Sequence, residues 1–424
     1  MGTRSLLDPD LTTLDADLID PGRYQEGVPY ERFRWLREND PVHWTPEPRG
    51  RGFWSVTRHA DIVEVSRDFE TYSSQTGASA LEDLEPDALE ARASMIDVDP
   101  PLHTRLRGSV TPPFTRRAVS NYSTVIETIV AESLDRALAK GEFDAVAEIA
   151  VPIPIRVLCR ILGVPEQDEH DLVVLGDKMI ANTDPDLTDV LFESADSDAY
   201  RLLPFRNPAA LAMHAYGRDL ADRKRVAPTA DLVSRLVAGR PGHPPLTGRD
   251  FDAMFLLLVV AGNETTRSAI SLGIQALIEH PDQWDRLVQA GPSGIPAAVE
   301  ELLRWTTPLH HFRRTATRDT VLHDTPIAAG DKVVVWFTAG NRDAAVFDRP
   351  DELDLGRVVN PHLTFGRGGP HRCIGEHLAR LELALTLEHL VRRVSRLESR
   401  GPAARVRSNF VNGLKSLPIL AVAR

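Results

Sequence analysis

The pattern of apolar and polar positions predicts a mainly α-helical protein with small β-sheets. Between residues 105 and 236 the apolar positions follow helical spacing, interrupted by several prolines. Residues 251–280 form a long helical pattern whose first half is apolar on nearly every side, which predicts a buried helix. Further helices are predicted at 29–38, 60–67, 283–305 and 376–397.

The short β portion is predicted from runs rich in β-branched and aromatic residues. Residues 52–57 and 332–337 read as strands, and residues 410–423 as the strands of a hairpin. Residues 1–30 are predicted to be coil with turns, 71–93 to be a loop with a short helix, and 357–375 to be a loop. No repeat or flexible linker divides the chain, so we expect one domain over residues 1–424.

Composition narrows the class of protein. The chain has 424 residues, 42% of them apolar, which is enough for a large core, and its net charge of −12 argues against a nucleic-acid partner. Two cysteines cannot form a disulfide framework. Acidic residues occupy the N-terminal stretch where a signal peptide needs apolar ones, and the run 254–261 is too short to span a bilayer. We therefore expect a soluble cytoplasmic protein with no membrane partner.

Cys373 lies in a glycine-rich loop, residues 365–375, directly before a predicted helix. A lone cysteine is more often a buried free thiol than a ligand. Here the helix N-terminus and neighbouring basic side chains favour the thiolate, which is a soft metal ligand. Backbone N–H groups of the loop can also bond to the sulfur. One thiolate in such a loop indicates the proximal ligand of a haem iron.

The loop resembles the signature of the cytochrome P450 family, the thiolate-haem monooxygenases. The matching residues are Phe365, Gly366, Gly368, His371, Cys373 and Gly375. The phenylalanine lies eight residues before the cysteine instead of the commonest seven, and Gly369-Pro370 carries the extra residue. The resemblance implies the cytochrome P450 fold, with haem b (iron protoporphyrin IX) between the long central helix and the helix that follows Cys373.

A second motif, residues 261–266, lies in the middle of the long helix. Glu264 could be a solvated residue, but an acid directly after a wholly apolar run needs a reason, because burying it is costly. Gly262 weakens the helix, and a threonine can bond back to a preceding carbonyl, so a local distortion is expected. The resemblance implies that Glu264 and Thr265 are catalytic and deliver protons to dioxygen, and that Ala261 borders the haem. Thr266 is expected to be structural.

A third motif is structural. Glu301 and Arg304 have the spacing of an ordinary surface pair on a helix. They stand between the Glu264 helix and the Cys373 loop, as the family requires. The resemblance implies that Arg357 joins them in a network that holds the haem-binding side of the fold.

Four residues are expected to bind the haem carboxylates. They are His103, Arg107, Arg314 and His371. His103 and Arg107 are one helical turn apart on one face. Each of the four alone could be a surface cation, and Arg313 competes with Arg314.

Substrate contacts are expected at apolar positions around the haem. By resemblance the candidates are Leu257, Leu258, Ala261, His310, His311, Phe312, Phe410 and Val411. Each could equally be a core residue. The two histidines are either polar handles for a substrate oxygen or surface residues.

The resemblance implies a monooxygenase that hydroxylates or otherwise oxidises a hydrophobic molecule, of terpenoid, steroid or fatty-acyl type or a natural-product intermediate of secondary metabolism. Ferredoxin and ferredoxin reductase would supply two electrons to a monomeric enzyme. Four arginines are either a docking surface for that donor or ordinary solvated residues: Arg116, Arg117, Arg367 and Arg372. The alternative is a non-oxidising haem protein that binds a ligand or carrier, and a peroxygenase is a third option.

Overall fold

The computed structural model describes residues 10–48, 50–79 and 81–424, and helices predominate in it as predicted. The helices of the first half are α1 (Leu11–Ile19), α2 (Pro21–Glu26), α3 (Tyr30–Asn39), α4 (His59–Arg67), α5 (Pro86–Arg92), α6 (Leu102–Val110), α7 (Arg116–Ser120), α8 (Ser123–Leu138), α9 (Pro152–Leu162), α10 (Glu169–Ile180), α11 (Ala209–Val226) and α12 (Leu232–Ala238). Those of the second half are α13 (Gly248–Glu279), α14 (Pro281–Ala290), α15 (Ile295–Thr306), α16 (Phe337–Gly340) and α17 (Glu376–Arg393).

The strands are short and gather into four sheets. They are β1 (Val42–Thr45), β2 (Phe53–Val56), β3 (Tyr72–Ser73), β4 (Glu142–Asp144), β5 (His311–Ala316), β6 (Thr320–Leu322), β7 (Thr325–Ile327), β8 (Lys332–Trp336), β9 (Val394–Ser399), β10 (Ala404–Arg405), β11 (Leu414–Ser416) and β12 (Pro418–Ala423). The largest sheet has the order β1-β2-β8-β5-β3, in which β2 and β8 run parallel. The prediction of a mainly helical protein with small sheets is confirmed.

The predicted coil at the N-terminus is wrong where the structure describes it, because residues 11–26 form α1 and α2. Each helix begins at an aspartate whose side chain accepts a backbone N–H of the first turn, Asp10 from Thr12 and Asp20 from Gly22. The apolar positions are few in helices this short, so periodicity did not reveal them. Residues 1–9 of that prediction lie outside the described residues.

Three other predictions need correction. The helix predicted at 283–305 is broken after Ala290, where Gly291 adopts a φ of +59°. The helix predicted at 376–397 ends at Arg393, because residues 394–399 form strand β9 beside β12. The C-terminal residues do form strands, but the predicted hairpin is wrong: β11 pairs with β10, while β12 lies between β4 and β9.

Strand β8 joins two parts of the hydrophobic interior. Val333 and Val335 face a cluster that includes residues of α4, and Val334 and Trp336 face a cluster with the N-terminal helices. All five residues of β8 are buried, as expected for a strand covered on both faces.

Helix α13 runs through the largest core, as its apolar first half predicts. It packs against α9, α10, α11, α15 and α17. A methyl group at Gly262 would come within 3.1 Å of Leu158 in α9, so the glycine permits a close approach of the two helices. No helix among the described residues is both long and apolar enough to cross a membrane.

A buried ion pair ties α15 to the segment that leads to Cys373. Arg304 and Glu301 have no exposed side-chain surface, and their side chains meet in two hydrogen bonds of 2.7 and 2.8 Å. Arg304 also donates to the carbonyl oxygens of Asn341, Pro350 and Glu352. Arg357 then donates to Glu301 at 3.0 Å. The structure thus brings the three residues expected to form a network into contact.

Replacing Arg304 by Ala should destabilise the protein by about 3–5 kcal/mol, because Glu301 would keep a buried charge without its main partner. Urea unfolding checks this. The control is Arg223→Ala, which removes an exposed pair with Asp219 on α11 and should cost less than about 1 kcal/mol. Equal losses in the two variants would contradict the structural role of Arg304.

Candidate functional site

The loop before α17 is folded tightly around Cys373. The N–H of Cys373 donates to the carbonyl of Phe365 at 2.8 Å, and the N–H of Gly366 donates to Leu363 at 2.7 Å. Gly366 adopts a φ of +70°, which favours glycine. The N–H of Gly375, at the start of α17, donates to the Cys373 sulfur. These bonds hold the thiol at the N-terminal end of the helix.

Cys373 borders open space inside the protein. Its side chain is exposed, yet burial among surrounding protein atoms raises the pKa of the thiol above its usual value. The Gly375 N–H, Arg107 and Arg380 lower that pKa, as the loop chemistry suggests, but burial outweighs them. The loop and its basic neighbours therefore act on the pKa of the thiol in the predicted direction, against the effect of burial. Coordination to a metal would have to drive the deprotonation.

The four residues expected to bind carboxylates come together beside Cys373. The rings of His103 and His371 are 4.3 Å apart between centroids. His371, Arg107 and Arg314 all lower the pKa of His103, which burial and these neighbours bring to about 4. Burial lowers the pKa of Arg107, and Cys373 is close enough to oppose that shift.

This cluster fits the carboxylates of a haem. The buried Nδ1 of His103 finds no hydrogen-bond partner among the described residues. Burial also lowers the pKa of Arg314 to about 10, although Asp99 and Asp97 oppose the shift. Several cationic or protonatable groups that repel one another are stabilised when an anion is placed among them. The residues present therefore fit a haem, with Cys373 as the single thiol for its iron.

The structure shows which of the two neighbouring residues Arg313 and Arg314 lies near His103. Successive residues of a strand point to opposite faces, so the two side chains leave β5 in opposite directions. Arg313 donates to the carbonyl of Glu82 at 2.6 Å and thereby holds an irregular segment. Arg314 lies near Asp97 and Asp99, on the side of His103. Arg314, and not Arg313, therefore belongs to the group of residues expected to bind the haem carboxylates.

Glu264 is buried in α13, and Thr265 lies beside open space. The hydroxyl of Thr265 donates to the carbonyl of Ala261 at 2.7 Å, as the sequence suggests. Ala261 is exposed, although the helix around it is largely buried, so this face of α13 borders an internal space. The helix is continuous from Gly248 to Glu279, and we see no interruption at Gly262.

Glu264 belongs to a buried group of three charged residues. Arg267, one turn further along α13, lies 3.0 Å from Glu264 and 2.8 Å from Asp177 of α10. Asn263 also donates to Glu264 at 3.2 Å. One guanidinium thus contacts two carboxyl groups. Burial raises the pKa of Glu264 well above its usual value, Asp177 raises it further and Arg267 opposes the rise.

Sequence reasoning missed the two charged residues that surround Glu264, Arg267 and Asp177. Arg267 could have been found, because a residue three positions from Glu264 on a helix lies on the same face. Asp177 comes from α10 and has no such signal in the sequence. Its contact with Arg267 depends on how α10 packs against α13.

Half of the expected substrate contacts border open space. Ala261 is exposed, and three further residues are half-buried: Leu257, Phe312 and Phe410. Phe312 and Phe410 pack edge to face with centroids 5.7 Å apart, so β5 and the turn at Phe410 meet as expected.

The remaining expected contacts are buried: Leu258, His310, His311 and Val411. His310 bonds to Thr338 at 2.7 Å and packs on Tyr24. His311 leaves β5 on the face opposite to Arg314 and packs against Trp336 and Phe410. The alternative that the two histidines are surface residues is wrong, because both are buried.

The four arginines considered as a docking surface are all exposed. Arg372 pairs with Glu376 at 2.8 Å. Arg367 lies in the Cys373 loop, and Arg116 and Arg117 begin α7, which packs against α17. All four therefore lie on or beside the elements that carry Cys373.

Comparison with known proteins gives consistent results. The family model described as Cytochrome P450 matches residues 295–405, which include Glu301, Arg304 and Cys373. The chain is 34% identical to a methyl-branched lipid omega-hydroxylase of Mycobacterium bovis, with 97% of this chain and 96% of the relative aligned. It is also 34% identical to linalool 8-monooxygenase of Pseudomonas putida, over 96% of this chain and 99% of that one.

A solved structure shares the whole architecture. A cytochrome P450 of Mycobacterium marinum in complex with pseudoionone superposes with a TM-score of 0.85 at 35% identity, and the match covers 99% of this chain and 100% of that one. Residues outside the family-model match, including the N-terminal helices and α13, are therefore part of the same fold.

Replacing Glu264 by Gln should remove one contribution to stability that is lost as the pH rises. Because the pKa of Glu264 is raised in the folded protein, the folded state keeps a proton that the unfolded chain releases above about pH 4.5. The contribution of Glu264 to stability should therefore fall as the pH rises above about 4.5, by at most about 1.4 kcal/mol per pH unit.

Urea unfolding at several pH values measures this effect. Glu264→Gln should lose less stability over that range than the wild type, while Glu90→Gln, at a side chain that is 80% exposed, should follow the wild type. The same pH dependence in all three proteins would show that Glu264 carries no raised pKa.

Proposed function

Because this chain belongs to the cytochrome P450 family, we propose that Cys373 binds the iron of a haem and that the enzyme oxidises a terpenoid or branched-chain lipid. The protein is a monooxygenase, an oxidoreductase that acts on a hydrophobic molecule. The named relatives are oxygenases, which favours this activity over a non-oxidising module that binds a ligand or carrier.

One observation carries the haem assignment: a thiol that borders internal space lies beside a cluster of protonatable and cationic groups. We propose iron protoporphyrin IX, since its two carboxylates suit His103, Arg107, Arg314 and His371. Bound haem supplies the activation of dioxygen, so that substrate, dioxygen, two electrons and two protons give hydroxylated product and water.

The residues of α13 supply protons for that reaction. Burial raises the pKa of the Glu264 carboxyl well above its usual value, Arg267 opposes the rise and Asp177 adds to it, which suits this group to hold and release a proton. Thr265 is the next residue, and its hydroxyl faces the internal space beside Ala261. We propose that Glu264 controls the supply of protons to this space and that the hydroxyl of Thr265 donates a hydrogen bond there. Arg267 holds Glu264 in place.

The substrate class rests on the walls of the same space. The accessible candidates are Leu257, Ala261, Phe312 and Phe410, all of them apolar. Apolar walls with few polar groups bind hydrophobic ligands by burying them. This supports a terpenoid, as in linalool 8-monooxygenase, or a methyl-branched lipid, as in the omega-hydroxylase.

We propose an acidic ferredoxin, reduced by a ferredoxin reductase, as the electron donor. Exposed arginines on the Cys373 side would attract such a partner, and Arg116, Arg117 and Arg367 are the candidates. We further propose that residues 1–424 act as one domain in a cytoplasmic monomer. One large core that includes residues from 95 to 421 supports a single domain.

Cys373→Ala should abolish the thiolate-type spectrum of the reduced carbon-monoxide complex, because no thiol would remain at the iron. The measurement is the difference spectrum of the purified haem protein. Cys159→Ala is the matched control, since Cys159 is a buried core thiol whose pKa burial raises, and it should keep the spectrum. A thiolate-type spectrum in Cys373→Ala would refute the ligand assignment.

Thr265→Ala should keep haem but divert electrons from product to hydrogen peroxide, because proton delivery into the internal space would fail. The measurement is hydrogen peroxide released per NADPH consumed, with a surrogate ferredoxin and reductase and linalool as the test substrate. Several-fold more peroxide is expected than from the wild type. The neighbouring buried residue provides the control, Thr266→Ala, which should stay coupled. Coupling equal to wild type in Thr265→Ala would argue against its role.

A further inference from the structure

The loop before Cys373, which is one residue longer than the commonest form of the family signature, packs against the C-terminal end of α4. A methyl group added at Gly369 would overlap the carbonyl oxygen of Ser66, and one at Gly368 would overlap the side chain of Arg67. Both contacts involve the last turn of α4, which ends at Arg67. The loop and the helix end are therefore packed backbone against backbone.

The two glycines differ in what an added methyl group would meet. Gly368 faces the flexible side chain of Arg67, which can move aside. Gly369 faces a backbone carbonyl, which can move only if α4 or the loop moves. A side chain at position 369 would therefore require the backbone of α4 or of the loop to shift.

The N-terminal end of α4 contacts the segment that leads into this loop. The N–H of His59, the first residue of α4, donates to Asp343 at 2.9 Å, and its side chain bonds to the carbonyl of Pro361 at 2.9 Å. Ile62 and Leu363 pack together over Gly340, where an added methyl group would meet both. The helix thus touches the chain at 361–363 and again at Gly369.

The contact at Gly369 reaches Cys373 through two hydrogen bonds of the loop. The carbonyl of Gly369 accepts from the N–H of Arg372 at 3.3 Å, and the N–H of Cys373 bonds to Phe365 at 2.8 Å. Arg372 directly precedes Cys373. A displacement of Gly369 would therefore shift the sulfur.

We propose that Gly369 is a positioning residue for Cys373, and that α4 acts as a brace that sets where the thiol meets the haem iron. The proposal rests on the proposed role of Cys373 as the ligand. The extra residue of the loop, at Gly369-Pro370, is the part of the loop that meets the brace. Any side chain at position 369 would push the loop away from α4.

The first test is Gly369→Ala in the haem-loaded protein. We expect it to bind haem but to show a several-fold larger fraction of reduced carbon-monoxide complex without the thiolate-type band, together with a shifted reduction potential. Gly401→Ala is the control, because a methyl group there meets only ordinary contacts with Pro418. A spectrum and potential equal to wild type in Gly369→Ala would overturn the proposal.

A second pair of variants tests the brace from the side of α4, in case Gly369→Ala does not fold. Ile62→Val loosens the packing of α4, while Ile153→Val makes the same change at an equally buried site on α9. Ile62→Val should raise the fraction without the thiolate-type band, and Ile153→Val should not. Equal spectra in the two variants would count against a role of α4 beyond overall stability.

Cys373→Ala in the same assays separates the two proposals. If Cys373→Ala keeps the thiolate-type band, the ligand assignment fails. If it loses the band while Gly369→Ala and Ile62→Val both behave as wild type, the ligand assignment stands and the brace alone is refuted.

Discussion

A buried arginine must satisfy all of its donors, and this constraint at Arg304 organises the half of the protein that carries Cys373. Its guanidinium has no access to water and bonds to Glu301 and to three backbone carbonyls between residues 341 and 352. Those carbonyls can be supplied only if the segment between β8 and the Cys373 loop takes its native path. Arg357 and Asn360 then use the remaining acceptor capacity of Glu301. Through these bonds, Arg304 and Glu301 fix the path of the segment that leads to the Cys373 loop.

Sequence reasoning succeeded where a side chain's role follows from its own neighbours in the chain. The buried α13 and the short strand β8 follow from apolar periodicity, and the cysteine loop follows from its glycines. Elements that depend on tertiary pairing were missed. Helix α17 gives way to β9 only because β12 lies beside it, and β12 itself pairs with strands far away in the sequence. The short N-terminal helices combine capping aspartates with only a few buried apolar residues, Leu14, Leu18 and Tyr24.

In the candidate site, too, local sequence motifs could be interpreted and contacts between distant elements could not. Motif and spacing were enough to name Cys373, Arg314 and Glu264, whose surroundings the structure supplies. They could not separate residues that face the internal space from residues one position away. In β5 the alternation of side chains sends Phe312 and Arg314 to one face and Arg313 to the other, and only the pairing with β8 shows which face is which. Asp177 was out of reach, because its contact with Arg267 is made between two helices.

The parallel pairing of β2 with β8 has a consequence for how the protein is made. Trp54 pairs with Val333, so the central sheet stays incomplete until most of the chain has been synthesised. Closing such a long loop is slow, and until then the hairpin of β1 and β2 has an open edge that can pair with other chains. Until β8 pairs with β2, folding therefore competes with pairing between chains at this edge.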